Sequence, residues 1–117
     1  MSKNLFGEEQ SEKEVQNLIR SALAPYAKVW NVTTGVFKVG QGKRARWIRT
    51  FPTGTPDLMG FRYSDGKMFF IEVKNANGRV SPEQKEFIKW AEGHPILCGV
   101  ARSVEDAFNI LEIPLWG

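Results

Sequence analysis

One heptapeptide, Met68-Phe69-Phe70-Ile71-Glu72-Val73-Lys74, constrains the fold of this chain more than any other segment. Its aromatic and β-branched residues predict a strand, and alternate side chains of a strand share a face. Met68, Phe70, Glu72 and Lys74 therefore point one way, and Phe69, Ile71 and Val73 the other. Both faces begin apolar, as in a strand covered on both sides, yet one face ends in two charges. Burying a carboxylate or an ammonium is expensive unless something compensates. A second acid, Asp57, stands fifteen residues before Glu72, directly after Pro56. Two acids and a lysine brought to one spot can hold a divalent metal and support phosphodiester chemistry.

Length and composition agree with an enzyme of that kind. A chain of 117 residues predicts one domain, 1–117, with a single modest core over about 8–112. Its hydrophobic fraction of 42% and charged fraction of 25% are those of an ordinary globular protein. No apolar run approaches the roughly 20 residues that span a bilayer, so no membrane association is expected. The stretch Met1–Glu9 lacks the apolar core of a secretory signal. The lone Cys98, in the string Ile96-Leu97-Cys98-Gly99-Val100, predicts a buried small hydrophobe in a reducing, cytoplasmic compartment.

The net charge of +3 hides an uneven distribution. No acid occurs from Val15 to Pro56, whereas Arg20, Lys28, Lys38, Lys43, Arg44, Arg46 and Arg49 fall inside that stretch. The densest part, Lys43-Arg44-Ala45-Arg46-Trp47-Ile48-Arg49, interleaves cations with an aromatic ring. Such a surface tracks phosphates and offers a base something to stack on. Lys38, Lys43, Arg44, Arg46 and Arg49 are the candidate DNA-binding residues. The plain alternative is a solvated basic hairpin.

The remaining elements follow from local signals. Residues 8–24 read as a helix, with Ser11 as N-cap, Glu14 at capping-box spacing and Pro25 as terminator. Val15, Leu18, Ile19, Ala22 and Leu23 form its apolar stripe. At about 100° per residue, Glu12 lies about 50° from the centre of that stripe and Glu14 about 110°. Glu12 should point toward the interior edge of the fold, Glu14 toward solvent or the cap. Residues 28–39 read as a strand with Gly35 as a bulge or turn, Gly40-Gln41-Gly42 as a turn, and 45–50 as a return strand. A constrained loop, 52–56, leads into a strand over 57–62. Tyr63-Ser64-Asp65-Gly66-Lys67 is a hairpin turn, which makes 57–62 and 68–74 antiparallel neighbours. Ser81 caps a helix to about Glu92 with Pro82 at its first position and Phe87, Ile88 and Ala91 as its apolar residues. A strand over 96–101 completes a βαβ crossover. Ser103 caps a last helix with Ala107, Phe108, Ile110 and Leu111 inward.

A turn centred on Asp65-Gly66 sets position 57 opposite roughly 74, within reach of both Glu72 and Lys74. Two carboxylates and a nearby backbone carbonyl suit Mg²⁺ or Mn²⁺. Lys74 can position or deprotonate a water, or stabilise charge building on phosphorus. One histidine, His94 in a Gly-His-Pro turn, and one cysteine cannot make a zinc cluster. No nucleophile elbow or glycine-rich phosphate cradle is present, and no organic cofactor is expected.

The order Glu12 on an opening helix, Gly54-Thr55-Pro56-Asp57, Phe70-Ile71-Glu72-Val73-Lys74 and Gly78-Arg79-Val80-Ser81-Pro82-Glu83-Gln84 resembles the VRR-NUC branch of the PD-(D/E)xK nuclease superfamily. The resemblance runs from about residue 10 to 110 and rests chiefly on Ser-Pro-Glu-Gln opening the helix after the Glu-x-Lys strand. It implies an α/β, restriction-endonuclease-like core: a central mixed β-sheet flanked by helices in the order α-β-β-β-α-β-α. It further implies Mg²⁺ or Mn²⁺ held by Asp57, Glu72 and the backbone carbonyl of Val73. The catalytic lysine would be Lys74, and Gln84 and a helix-one acid would have active-site roles. That acid is matched to Glu12, with Glu14 as its substitute. Stand-alone members resemble Holliday-junction resolvases, often pair as homodimers and are common in phages. A bacterial or phage-encoded endonuclease acting on branched DNA is the function so implied. Relatives often carry an arginine where this chain has Asn31.

Blander readings exist for each residue. Asp57 can be a turn acid, Glu72 and Lys74 an ion pair on an edge strand, and Gln84 only half of a cap around Ser81. Trp30, Trp47, Trp90 and Trp116 read as packing groups, with Trp47 the best candidate for base stacking. The rival functions are a non-catalytic DNA-binding module that keeps the nuclease fold, and an adaptor whose basic segment docks an acidic partner.

Overall fold

The structure, a computed structural model, describes residues 9–115. Trp116 and the expected start of helix and core at residue 8 lie outside the described residues. Ser11 caps the first helix, α1 (Glu12–Leu23), two ways. Its hydroxyl accepts from the Glu14 N–H at 3.1 Å, and the Glu14 carboxylate accepts from the Ser11 N–H at 3.2 Å. Val15, Ile19 and Leu23 are buried along one line of this helix. Leu18, expected inward, is 47% exposed because it sits about 100° round from Ile19, beyond the sheet's reach.

Four strands make the central sheet in the order β1 (Ala27–Asn31), β4 (Leu58–Arg62), β5 (Met68–Val73) and β6 (Leu97–Ala101). β4 runs antiparallel to both β1 and β5, and β6 lies parallel to β5. The α2 helix (Pro82–Glu92) makes the crossover between those parallel strands. The sheet's elements thus follow the expected α-β-β-β-α-β-α order, ending in α3 (Val104–Ile110). Phe69, Ile71 and Val73 project onto α1 and α3, where they join Ile19, Leu58 and Leu111 in the core. Phe70, on the other face, meets Phe87 of α2 with ring centroids 4.9 Å apart. The architecture agrees with a restriction-endonuclease-like core. No helix among the described residues is long and apolar enough to cross a membrane.

Two further expectations are corrected. The stretch 28–39 turns at Gly35, but its second half leaves the central sheet. It divides into β1 and β2 (Val36–Val39), and β2 pairs with β3 (Arg46–Arg49) in a separate two-stranded ribbon. Gly35, at φ 110°, makes the break, and Thr34 bridges to Phe51 at the ribbon's base. The β4–β5 hairpin register also differs by two residues. Arg62 and Lys67 close the hairpin, leaving a four-residue loop, Tyr63–Gly66, in which Gly66 takes φ 75°. Asp65 sits third in that loop, where its carboxylate pairs with Arg62 and accepts from the Lys67 N–H at 3.0 Å. Leu58 therefore faces Ile71, and the register brings Asp57 opposite Glu72 instead of Lys74. A shift of two preserves the faces, so both acids still point to one side.

Candidate active site

Asp57 enters the site through a rigid approach. Thr55 and Pro56 are buried, and the Thr55 hydroxyl donates to the Pro52 carbonyl at 2.8 Å. Gly54 adopts φ 97° against the first turn of α2, where a Cβ would come within 2.8 Å of the Glu83 carbonyl oxygen. Only glycine fits there. Asp57 itself spans two strands: its carbonyl accepts from Val32 N–H at 2.7 Å, and its Oδ2 accepts from Val73 N–H at 2.9 Å. The second bond fixes the carboxylate against the end of β5.

Glu72 is 1% exposed and Lys74 9% exposed, so a carboxylate and an ammonium are buried together. Lys74 Nζ lies 3.5 Å from Glu72 Oε2, an ion pair looser than a normal hydrogen bond. Glu72 Oε1 is buried and has no hydrogen-bond partner among the described residues. Burial, and then the Asp57 carboxylate beside it, push the Glu72 carboxyl up to about 8, with Lys74 pulling the other way. A buried oxygen with nothing to bond costs a full desolvation penalty.

Glu12, first residue of α1, completes the cluster. One carboxylate oxygen from each of Glu12, Asp57 and Glu72 lies within 4.8 Å of the others. Glu14 is engaged in the cap, so of the two candidate acids Glu12 is the one brought to the strand acids. Three hard oxygen donors fit a divalent cation such as Mg²⁺ or Mn²⁺.

The family model of the VRR-NUC domain matches residues 4–105. The chain belongs to the VRR-NUC family. No curated protein matches the chain. Membership makes it a protein of a nuclease-type, DNA-processing family, and the acidic cluster is where a VRR-NUC protein of this sequence can bind a metal.

The other expected residues fall in three places. Gln84 sits at the third position of α2, where its Oε1 accepts from the Ser81 N–H at 2.8 Å. That oxygen serves the cap. Lys38, Arg46 and Arg49 lie exposed on the β2–β3 ribbon, and Lys43 and Arg44 on the short 3₁₀ turn at its tip. Asn31, in place of an arginine, accepts from Gln16 Nε2 at 3.0 Å. Trp30 packs against Phe61 and Trp90 against Phe87 and His94, yet the two indoles stay 45% and 54% exposed.

One supporting residue escaped the sequence. Arg102 Nη1 donates to the carbonyls of Asn75 at 2.7 Å and Gly78 at 2.8 Å, clamping the loop that follows Lys74. A Cβ on Gly78 would come within 3.1 Å of Lys74 Cδ, so this loop is also the wall against the lysine stem. The contact joins residues 24 and 27 positions apart, and no local spacing signals it.

Proposed function

We propose that this VRR-NUC protein is a metal-dependent DNA endonuclease that hydrolyses phosphodiester bonds. The observation that carries the reading is the buried Glu72 carboxylate, with one oxygen unpaired among the described residues, set against Asp57, Glu12 and the Lys74 ammonium. A domain that only binds DNA has no use for three converging acids whose mutual repulsion weakens its fold.

In this reading Asp57, Glu72 and the backbone carbonyl of Val73 hold Mg²⁺ or Mn²⁺, with Glu12 at the edge of the same cluster. When bound, the ion polarises the scissile phosphate and makes a water more acidic. Asp57 is held in place by the Val73 N–H, so its oxygens cannot swing away when substrate arrives. Lys74 keeps its ammonium at the acids and neutralises the charge that builds on phosphorus, or orients the attacking water. Gln84 has its oxygen tied to Ser81, which leaves its amide nitrogen to donate toward a phosphate or that water. Lys38, Lys43, Arg44, Arg46 and Arg49 track the DNA backbone beyond the site.

Branched DNA is the proposed substrate class, cut by a homodimer that presents two such sites to two strands. Family likeness and small size support this. A strict monomer at micromolar concentration by light scattering would remove it. A DNA substrate and one half-buried cysteine suit a reducing bacterial cytoplasm, with the protein host- or phage-encoded. The reading is tested by labelled junction, flap, single-strand and duplex DNAs incubated with Mg²⁺ or Mn²⁺. Wild type should cut at least one, while Asp57→Ala and Lys74→Ala should fold normally and cut none. Binding without cleavage in both metals would favour the non-catalytic module, and unchanged turnover in either variant would defeat the mechanism.

A further inference from the structure

The sheet face that carries Asp57 and Glu72 extends well past them. The α2 helix packs on β6 and meets β5 through Phe87, while on the β1–β4 half of that face Lys28 and Trp30 are exposed and Met59 and Phe61 half-buried. The register sets Trp30 opposite Met59 and Lys28 opposite Phe61. Opposed residues of antiparallel strands share a face, so all four stand on the side of the acids. The Phe61 ring lies 6.0 Å from Trp30 and 5.9 Å from Tyr63, which makes a row of three rings. Lys28 Nζ sits 5.6 Å from the centre of the Trp30 ring. Trp30 is 45% exposed and Tyr63 56% exposed. At about 3.3 Å per residue along β4, the row starts about 7 Å from Asp57 and ends about 20 Å from it.

An occupant of this face must offer flat apolar surface and negative charge together. Lys28 is the one charged side chain among Lys28, Trp30, Phe61 and Tyr63, and Asp65, two positions past Tyr63, is already paired with Arg62. Duplex DNA keeps its bases stacked inside and would set charged phosphates against bare rings. A single strand offers both surfaces, because its bases are free to stack while its phosphates meet the lysine.

We propose that Trp30, Phe61 and Tyr63 form a stacking track for unpaired bases of single-stranded DNA, leading away from the Asp57–Glu72 acids. An unpaired strand beside the scissile phosphate is then a determinant of substrate choice. The orientation of the track rests on the nuclease reading, but its affinity does not depend on cleavage.

The test measures binding by fluorescence anisotropy in EDTA, with labelled oligothymidine and a blunt duplex of equal length. Trp30→Ala should weaken oligothymidine binding roughly tenfold, about 1.4 kcal/mol, and leave duplex binding unchanged. Trp30→Tyr should retain most of the affinity. Tyr63→Ala, at an exposed hairpin loop, supplies a second variant if Trp30→Ala fails to fold, and should show the same selective loss. Equal loss on both DNAs, or loss on neither, overturns the proposal. So does a drop in mass by light scattering with single-strand affinity kept, which would mean that a second copy covers the face. A wild type that cuts nothing yet shows the selective loss leaves the track standing and removes the nuclease reading. A wild type that cuts branched DNA while Trp30→Ala binds oligothymidine normally does the reverse.

Discussion

Replacing Glu72 by glutamine should stabilise the metal-free protein and abolish its response to metal. The Glu72 carboxyl has an ordinary value of 4.5, which the unfolded chain keeps, and is pushed up to about 8 in the fold. Between those limits the native protein holds a proton that the unfolded chain has released. The contribution to stability is therefore fully present below pH 4.5 and is lost as pH rises toward 8. Each pH unit inside the window costs the metal-free fold up to about 1.4 kcal/mol, a ceiling of about 3 kcal/mol at pH 7. Glutamine mimics the protonated carboxyl at nearly the same volume. Glu72→Gln should then melt roughly 10 °C above wild type at pH 7, and within a few degrees of it at pH 5. Adding Mn²⁺ at about 100 times its dissociation constant should stabilise wild type by about 2.7 kcal/mol and Glu72→Gln hardly at all. Calorimetric melting of both proteins at the two pH values, with and without Mn²⁺, reads all of these shifts. A variant less stable than wild type at every pH, or equally stabilised by Mn²⁺, refutes the view of Glu72 as a strained ligand.

Further predictions concern the surfaces around the acids. Arg44→Glu with Arg46→Glu should raise the DNA concentration needed for half-maximal cleavage and reduce the salt slope of binding by about 2, if each arginine meets one phosphate. A change in melting temperature alone would make those arginines structural. Arg102→Ala should release the Asn75–Gly78 loop from Lys74 and lower kcat with little change in KM, with partial rescue by Arg102→Lys. A loss confined to KM would assign Arg102 to binding instead.

What was legible in the chain was mostly local. Ser11, Ser81 and Ser103 announce their helices because a cap is a contact over three residues. The β5 strand and its charged end were readable because alternation along a strand needs no partner. The hairpin register was not, since an Asp-Gly pair can occupy different positions in a turn, and the Arg62–Asp65 pair selects the longer loop. The division of 28–39 depended on where each half finds its partner, β4 for one and β3 for the other. Glu12 and Glu14 were separable by their angles on the helix, and the cap that engages Glu14 agrees with that separation. The exposure of Trp30 depends on how far α2 reaches over the sheet, which is a property of packing and not of periodicity.

The central claim is a divalent ion seated among Glu12, Asp57 and Glu72. Crystals of the protein soaked in Mn²⁺ test it directly through the anomalous signal of manganese. The account predicts a peak in contact with carboxylate oxygens of both Asp57 and Glu72, lost in crystals of Glu72→Gln. Manganese bound elsewhere, with the Lys74 ammonium alone filling the space between those acids, would contradict it.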